Sequence, residues 1–463
     1  MKINIPAKRF VLLTLVATSI SAVALVAVGQ EPDDGYTGTN TVVTEGPDIT
    51  VWDIRADNDY GPIGATRAYS VGTDSCNIGS TPALWCNPDH PSGNSNCESE
   101  VPKVTSTDHP VISTNLYRLK NEAGRFRQLG KSFLKHGFNS LNDEVSACRG
   151  NGGGGTPVAC VNTATGPTLN VGCTDFYGAG TNADQPLAPR SEVNGATGAF
   201  PPTYTPPTGP GANSLDSRLQ VDESEIDPST NIGADVLGSG VDYWIEVHYV
   251  SPDDAMAGNG LNNASYVEAT FSSGFSLDVD AAPVVREAAA IWAWKAAEPD
   301  VEIVRVDLDT NPVERFHVAR QVTNTTRGLD SWHYEVVVHN MNSDRSARAL
   351  QITFPVGTVI SGAGFHDVDS HSGEIYSSAD WTFDNSTANI ARWSTTDFAS
   401  DNNANAIRWG TSYTFWFDAT APPIASHWEL ELFTPGSPTF VTAPFGQVFE
   451  DGFESGDTTA WDE

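Results

Sequence analysis

The chain has 463 residues, 39% hydrophobic and 18% charged, which is enough for two or three domains with apolar cores and excludes disorder throughout. Its 25 Lys and Arg stand against 58 Asp and Glu, and a surface that negative repels phosphate backbones and anionic membranes, so nucleic acid is not expected as a partner. The 41 Gly and 29 Pro punctuate the sequence densely and favour short strands over long helices.

At the amino terminus Lys2, Lys8 and Arg9 precede an apolar run from Phe10 to Val28 that ends among small residues, Ala22, Ala24, Ala27 and Gly29. This reads as a secretory signal peptide over 1–29, cleaved after Ala24 or Gly29, with an uncleaved anchor as the alternative. Cleavage leaves no transmembrane domain in the mature chain. The six cysteines, Cys76, Cys86, Cys97, Cys148, Cys160 and Cys173, all fall within one hundred residues, and an even set in an exported chain reads as a disulfide framework. Cys86 and Cys97 bracket the polar loop NPDHPSGNSN, and Cys148 and Cys160 bracket the glycine run GNGGGG. Local bridges are therefore expected, with Cys76 to Cys173 closing the set. Zinc on cysteine is the rival, but no C-x2-C pair occurs.

Residues 30–225 are rich in Cys, Gly and Pro and read as a loop-rich, disulfide-stapled β domain. Within it NLYRLK and RFRQLG flank the turn-forming NEAG and predict a hairpin. The spacing of Leu134, Phe138, Leu141, Val145 and Cys148 predicts a helix behind a Ser132 cap. AFPPTYTPPTGPGANS at 199–214 predicts a linker or surface strap. Residues 226–299 read as connecting strands and a short helix: VDYWIEVHYV and ASYVEATF as paired strands, and PVVREAAAIWAWKAAEPD as a helix limited to about three turns by its flanking prolines. Residues 300–445 carry ten short strand-like runs, EIVRVDL, RFHVARQV, WHYEVVVHN, ALQITFPV, TVISGAGF, DWTFD, IARWST, AIRWG, YTFWFDA and HWELELF, which predict an antiparallel β-sandwich, Ig-like or jelly-roll-like. In WHYEVVVHN, alternation puts Trp332, Tyr334, Val336 and Val338 on the face expected to meet the core, and His333, Glu335, Val337 and His339 on the other. Residues 446–463 form an acidic tail. The predicted fold class is thus mainly β.

The densest polar cluster is GFHDVDSHSGE, with His366, Asp367, Asp369, His371 and Glu374. Imidazole and carboxylate together suit a divalent ion, Ca or Zn, held by His366, Asp367, Asp369 and His371; a polar turn is the competing reading. It departs from the EF-hand pattern, because Ser372 and Ser378 stand where Gly and a bidentate Glu are needed. His136 and Asp175 are further candidates whose neighbourhoods a disulfide could draw together, with a structural histidine as the alternative. The pairs Asp278 with Asp280 and Asp307 with Asp309 suit calcium or simply a soluble surface. No G-x-S-x-G, H-E-x-x-H or P-loop pattern occurs. Among the twelve tryptophans, Trp292, Trp294 and Trp409 are candidate sugar-stacking platforms, with core packing as the default.

NLYRLKNEAGRFRQLGKSFLKHGF, VGCTDFYGAGTN, APRSEVNGATGAF, NMNSDRSARALQITFPVG and GFHDVDSHSGEIY together resemble an uncharacterised group of secreted bacterial proteins, over most of the mature chain. That resemblance implies export and a β-rich body, and no activity. The tail FEDGFESGDTTAW is similar to a segment ending many otherwise unrelated exported bacterial proteins, which implies sorting or surface retention. The expectation is an exported binding or structural protein at the cell surface, with a cell-envelope or carbohydrate partner. A metal-dependent secreted hydrolase and a carbohydrate-binding module are the alternatives.

Overall fold

A computed structural model of the chain describes residues 45–86, 107–120, 125–144, 148–151, 157–161, 166–202, 213–227, 241–325, 331–423 and 426–445. The leader, the loop after Cys86 with Cys97, the NEAG turn, the glycine run, most of the proline-rich stretch and the acidic tail lie outside the described residues. Among the described residues no helix is long and apolar enough to cross a membrane.

The protein is mainly β; the described residues form four larger antiparallel sheets and two two-stranded ribbons, Ala83–Leu84 with Thr168–Leu169 and Gly150–Asn151 with Pro157–Val158. The first holds β1 (Ile49–Ile63) and β2 (Thr66–Asn77), with β6 (Thr174–Tyr177) and β7 (Leu219–Asp222) sharing the other edge of β2. The second runs β10 (Leu277–Asp278), β9 (Ala264–Phe271), β8 (Val241–Val250), β3 (Val111–Lys120), β4 (Arg125–Lys131), with β5 (Lys135–His136) also on β3. The third runs β11 (Glu302–Leu308), β12 (Glu314–Asn324), β13 (Trp332–Asn340), β18 (Thr411–Ala419), β15 (Ile360–His366). The fourth runs β16 (Thr382–Asp384), β17 (Ile390–Ser394), β14 (Ala347–Thr353), β19 (His427–Leu432), β20 (Phe440–Ala443).

Side-chain alternation decides how these sheets stack. Tyr243, Ile245, Val247 and Tyr249 of β8 meet Ile49, Val51, Tyr69 and Val71 of the first sheet in one core. Tyr334, Val336 and Val338 of β13 join Phe415 and Phe417 and, from the fourth sheet, Leu350, Trp393 and Leu430 in another. A third cluster lies between the second and third sheets, where Tyr117, Phe126, Trp244 and Tyr266 meet Ala319 and Val337 around Trp294. The result is two sandwiches packed against each other, so the second and third sheets are covered on both faces. That is why every residue of β8 is buried.

The face of β13 expected to meet the core does so. Its opposite face, with Glu335, Val337 and His339, is buried as well, because it looks onto the other sandwich. Between the sandwiches runs a polar seam. Arg190 donates from Nε to Ser132 O at 2.7 Å, from Nη1 to Gly410 O at 3.0 Å, and from Nη2 to Thr114 O at 3.2 Å and Asn115 Oδ1 at 2.8 Å. Asn115 Nδ2 and Tyr117 OH donate to Glu246 Oε1, and the Ser412 N–H donates to Gln128 Oε1. Gly410 sits at φ +69°, and a Cβ there would lie 2.7 Å from Arg190 Nη1.

Three expectations need correction. Residues 134–148 contain no helix among those described. Leu134 bridges Ala188, Lys135–His136 pairs with β3, Ser140 bridges Gly166 and Asp143 bridges Thr174, so the backbone finds partners on other segments. The apolar residues there disperse: Leu134 packs by Trp409, Phe138 against the first core, and Leu141 is exposed. AIRWG is not a strand; it makes a single bridge, Ile407 to Ala347, and a turn. The bridges are Cys76–Cys148 and Cys160–Cys173, not Cys76–Cys173 and Cys148–Cys160. The register pairs Cys76 with Thr174, so Cys173 points to the opposite side of the sheet, into the first core, while Cys76 packs with Cys148. Cys86 is also disulfide-bonded. Trp294 and Trp409 are buried and Trp292 packs edge-on to His317, in line with core packing as the default reading of these indoles. The hairpin over β3 and β4 and a helix, α2 (Ile291–Ala297), are as expected.

Candidate functional site

The predicted polar cluster lies at the end of β15 and in the loop that follows, laid along the outer edge of β4. His366 Nε2 donates to Gln128 O at 3.1 Å and His371 Nε2 to Lys131 O at 2.8 Å, so both imidazoles satisfy carbonyls of an edge strand. Ser372 Oγ donates to His371 Nδ1 and accepts from the Ser217 N–H and Gln220 Nε2. Enclosure pushes both imidazoles down to about 4, with the Arg127 charge adding to it at His366 and the Lys131 charge at His371; both rings are neutral at pH 7. Asp367 accepts from Asn405 Nδ2, and Asp369 is exposed. The carboxylates of Glu374, Asp367 and Asp369 all act on the buried Lys131 ammonium, which donates to Val368 O. Among the described residues no three His, Cys, Asp or Glu side chains gather as a metal centre.

His136 and Asp175 sit on neighbouring segments without meeting. His136 Nδ1 lies 2.7 Å from His109 Nε2, under Phe200. Asp175 accepts from Trp85 Nε1 and from the Leu141 N–H, both at 2.7 Å, which fixes the 139–143 segment on β6. Burial pushes its carboxyl up to about 7. Asp307 is paired with Arg315, and Asp280 accepts from the Ala56 N–H.

A cleft opens instead between α2 and the end of the second sheet. Alternation places Asp242 and Trp244 of β8 on the same face as Tyr266 and Glu268 of β9, where Trp244 stands directly opposite Glu268. Val285 exchanges two backbone hydrogen bonds with Tyr266, at 2.8 and 3.0 Å, and so extends this wall. Glu246 Oε2 accepts from the Ala290 N–H at 2.6 Å, which anchors the segment entering α2 over the sheet. The volume enclosed is about 430 Å³, with Trp244, Tyr266 and Ala293 as apolar walls and Asp242, Glu268 and Glu298 as carboxylates. Glu298 also accepts from Gln321 Nε2 at 3.2 Å. Glu268 is pushed above the ordinary carboxylate range, first by partial burial and then by the charge of Asp242. The charge of Asp242 adds to the cost of charging Glu268, and this pair of acids beside aromatic walls forms a site that favours an incoming positive charge.

Read by its pattern alone, VDYWIEVHYV is a strand and gives no sign of a cleft. The available signal was the acid at every fourth position, Asp242 and Glu246, inside an otherwise apolar run. A run of that kind in a doubly covered strand needs each acid to have a partner or a cavity.

No protein-family model matches the chain, and no curated protein matches it. Among solved structures, a partial N-terminal region of an enterococcal surface protein aligns over 88% of this chain and 95% of that one, at 11% identity and a TM-score of 0.15.

Proposed function

We propose that this is an exported binding protein of the cell surface or extracellular space, and that the cleft beneath α2 takes a small ligand carrying an organic cation. The Cys76–Cys148 and Cys160–Cys173 bridges support an oxidising compartment, in keeping with the signal-like leader. The observation that carries the ligand class is the Asp242 and Glu268 pair set against Trp244 and Tyr266. An ammonium there relieves the repulsion between the acids and meets the aromatic walls, whereas a neutral sugar does only the second.

Calorimetric titration of the purified protein with choline, spermidine and sorbitol tests this reading. The two cations bind and sorbitol does not. Asp242→Asn or Glu268→Gln weakens the cations by about tenfold or more, the value of one charge-assisted contact. Binding of sorbitol as tight as that of choline, or cation binding untouched by both substitutions, refutes it.

A further inference from the structure

A second arrangement, on the opposite face of β8 and independent of the cleft, joins the start of β1 to the loop between α1 (Pro252–Ala257) and β9. Asp48 immediately precedes β1 and is fully buried; Asp254 in α1 is fully buried, and Asn263 at the end of the loop is 1% exposed. Asn262 Nδ2 donates to Asp48 Oδ1 at 3.1 Å, and Asn263 Nδ2 donates to Asp254 Oδ2. Asn259 Nδ2 reaches Pro47 O at 2.7 Å, so the whole turn folds over the Asp48 segment.

Three oxygens in this cluster are buried and make no hydrogen bond: Asp254 Oδ1, Asn262 Oδ1 and Asn263 Oδ1. No described basic side chain pairs with Asp254. The charge of Asp48 and full burial both act against its ionised form, while the Asn263 amide and the Ile49 backbone N–H act for it. A proton on Asp254 Oδ1 supplies one donor and pairs at most one other oxygen, which leaves the rest unsatisfied. Burying one such acceptor costs about 1–3 kcal/mol and a buried carboxylate with no basic partner costs more, so one shared cation would offset these costs together. A hard cation suits that role, because every ligand atom offered is oxygen, from two carboxylates and two amides, with no imidazole or thiolate among them.

We propose that Asp48, Asp254, Asn262 and Asn263 form a buried calcium site that clamps the start of β1 to the α1–β9 loop. Calcium accepts six to eight oxygens in adaptable geometry, so carbonyls of the loop and water complete the set, and magnesium, which demands a tighter octahedron, binds more weakly.

The test uses the full exported chain, stripped with EDTA and titrated calorimetrically with calcium chloride in about 0.15 M potassium chloride, where exposed acidic residues are screened. One calcium per chain binds, the melting temperature rises on adding calcium and falls back with EDTA, and Asp254→Asn abolishes both effects. Asn262→Ala, at a partly exposed position, weakens calcium by tenfold or more and serves if Asp254→Asn does not fold. Wild-type protein with no calcium heat and no shift in melting temperature overturns the proposal. Calcium affinity unchanged by Asp254→Asn or by Asn262→Ala overturns it equally. Asp242→Asn in the cleft leaves calcium affinity unchanged, which separates this site from the cation cleft.

Discussion

Replacing Arg190 with alanine tests the seam between the two sandwiches most directly. The guanidinium is 4% exposed and makes four hydrogen bonds, three to carbonyls of Ser132, Gly410 and Thr114 and one to Asn115. Bonds from a charged donor are worth about 1.5–3 kcal/mol each, so the gross loss is large. Against it stands the cost of keeping a cation out of water, several kcal/mol, which Arg190→Ala removes; that same burial lowers the guanidinium to about 10. The net expectation is the value typical for breaking a buried charged network, about 3–5 kcal/mol, because Asn115 Oδ1 loses its donor while Gly410 O keeps only the longer bonds from Asn115 Nδ2 and Gln128 Nε2. Arg190→Lys keeps the charge and loses the planar fork, and falls between the two. Urea unfolding followed by tryptophan fluorescence measures both, with the free energies taken from linear extrapolation. A loss below about 1 kcal/mol for Arg190→Ala refutes the view that the Arg190 network, with its bond across to Gly410 O, is a main support of the seam.

Gly410→Ala places a Cβ 2.7 Å from Arg190 Nη1 at a φ of +69°, and lowers stability by about 1–3 kcal/mol in the same assay. His371 has a folded pKa near 4, below the value of 6.5 for the free side chain, so the unfolded chain takes up its proton first as pH falls. The stability it contributes is present above pH 6.5 and lost toward pH 4; the advantage of wild type over His371→Gln therefore shrinks across that window, as pH-resolved unfolding curves will record. Removing the Cys76–Cys148 bridge, which spans 72 residues, costs about 4 kcal/mol by loop entropy, against about 3 kcal/mol for Cys160–Cys173 across 13, measured on paired Cys→Ala variants.

The period-2 patterns of β8, β13 and β18 were legible in the sequence because each strand sends a continuous apolar stripe into one core. Their second faces were not, since Glu335, His339 and Thr414 look like solvent-facing residues until another sheet is laid over them. The helix expected over 134–148 fails for a related reason: spacing records which residues are apolar, and Leu134, Phe138 and Leu141 each answer to a different neighbour. His366 and His371 read in sequence as candidate metal ligands; their carbonyl partners on β4 are more than two hundred residues away in sequence and leave no local trace. The clustering of Asp48 with Asp254 is invisible for the same reason.

A seam built from Arg190, Asn115, Gln128 and Glu246 also bears on the order of assembly. The chain emerges from synthesis amino end first, so the second sheet exists before the strands that will cover it. Groups that hydrogen-bond to water while they wait keep that uncovered surface from sticking to other nascent chains, which a wholly greasy face of the same size would invite. Docking of the later half then exchanges those waters for fixed partners, and proofreads the fit, because a misplaced sandwich strands a charge.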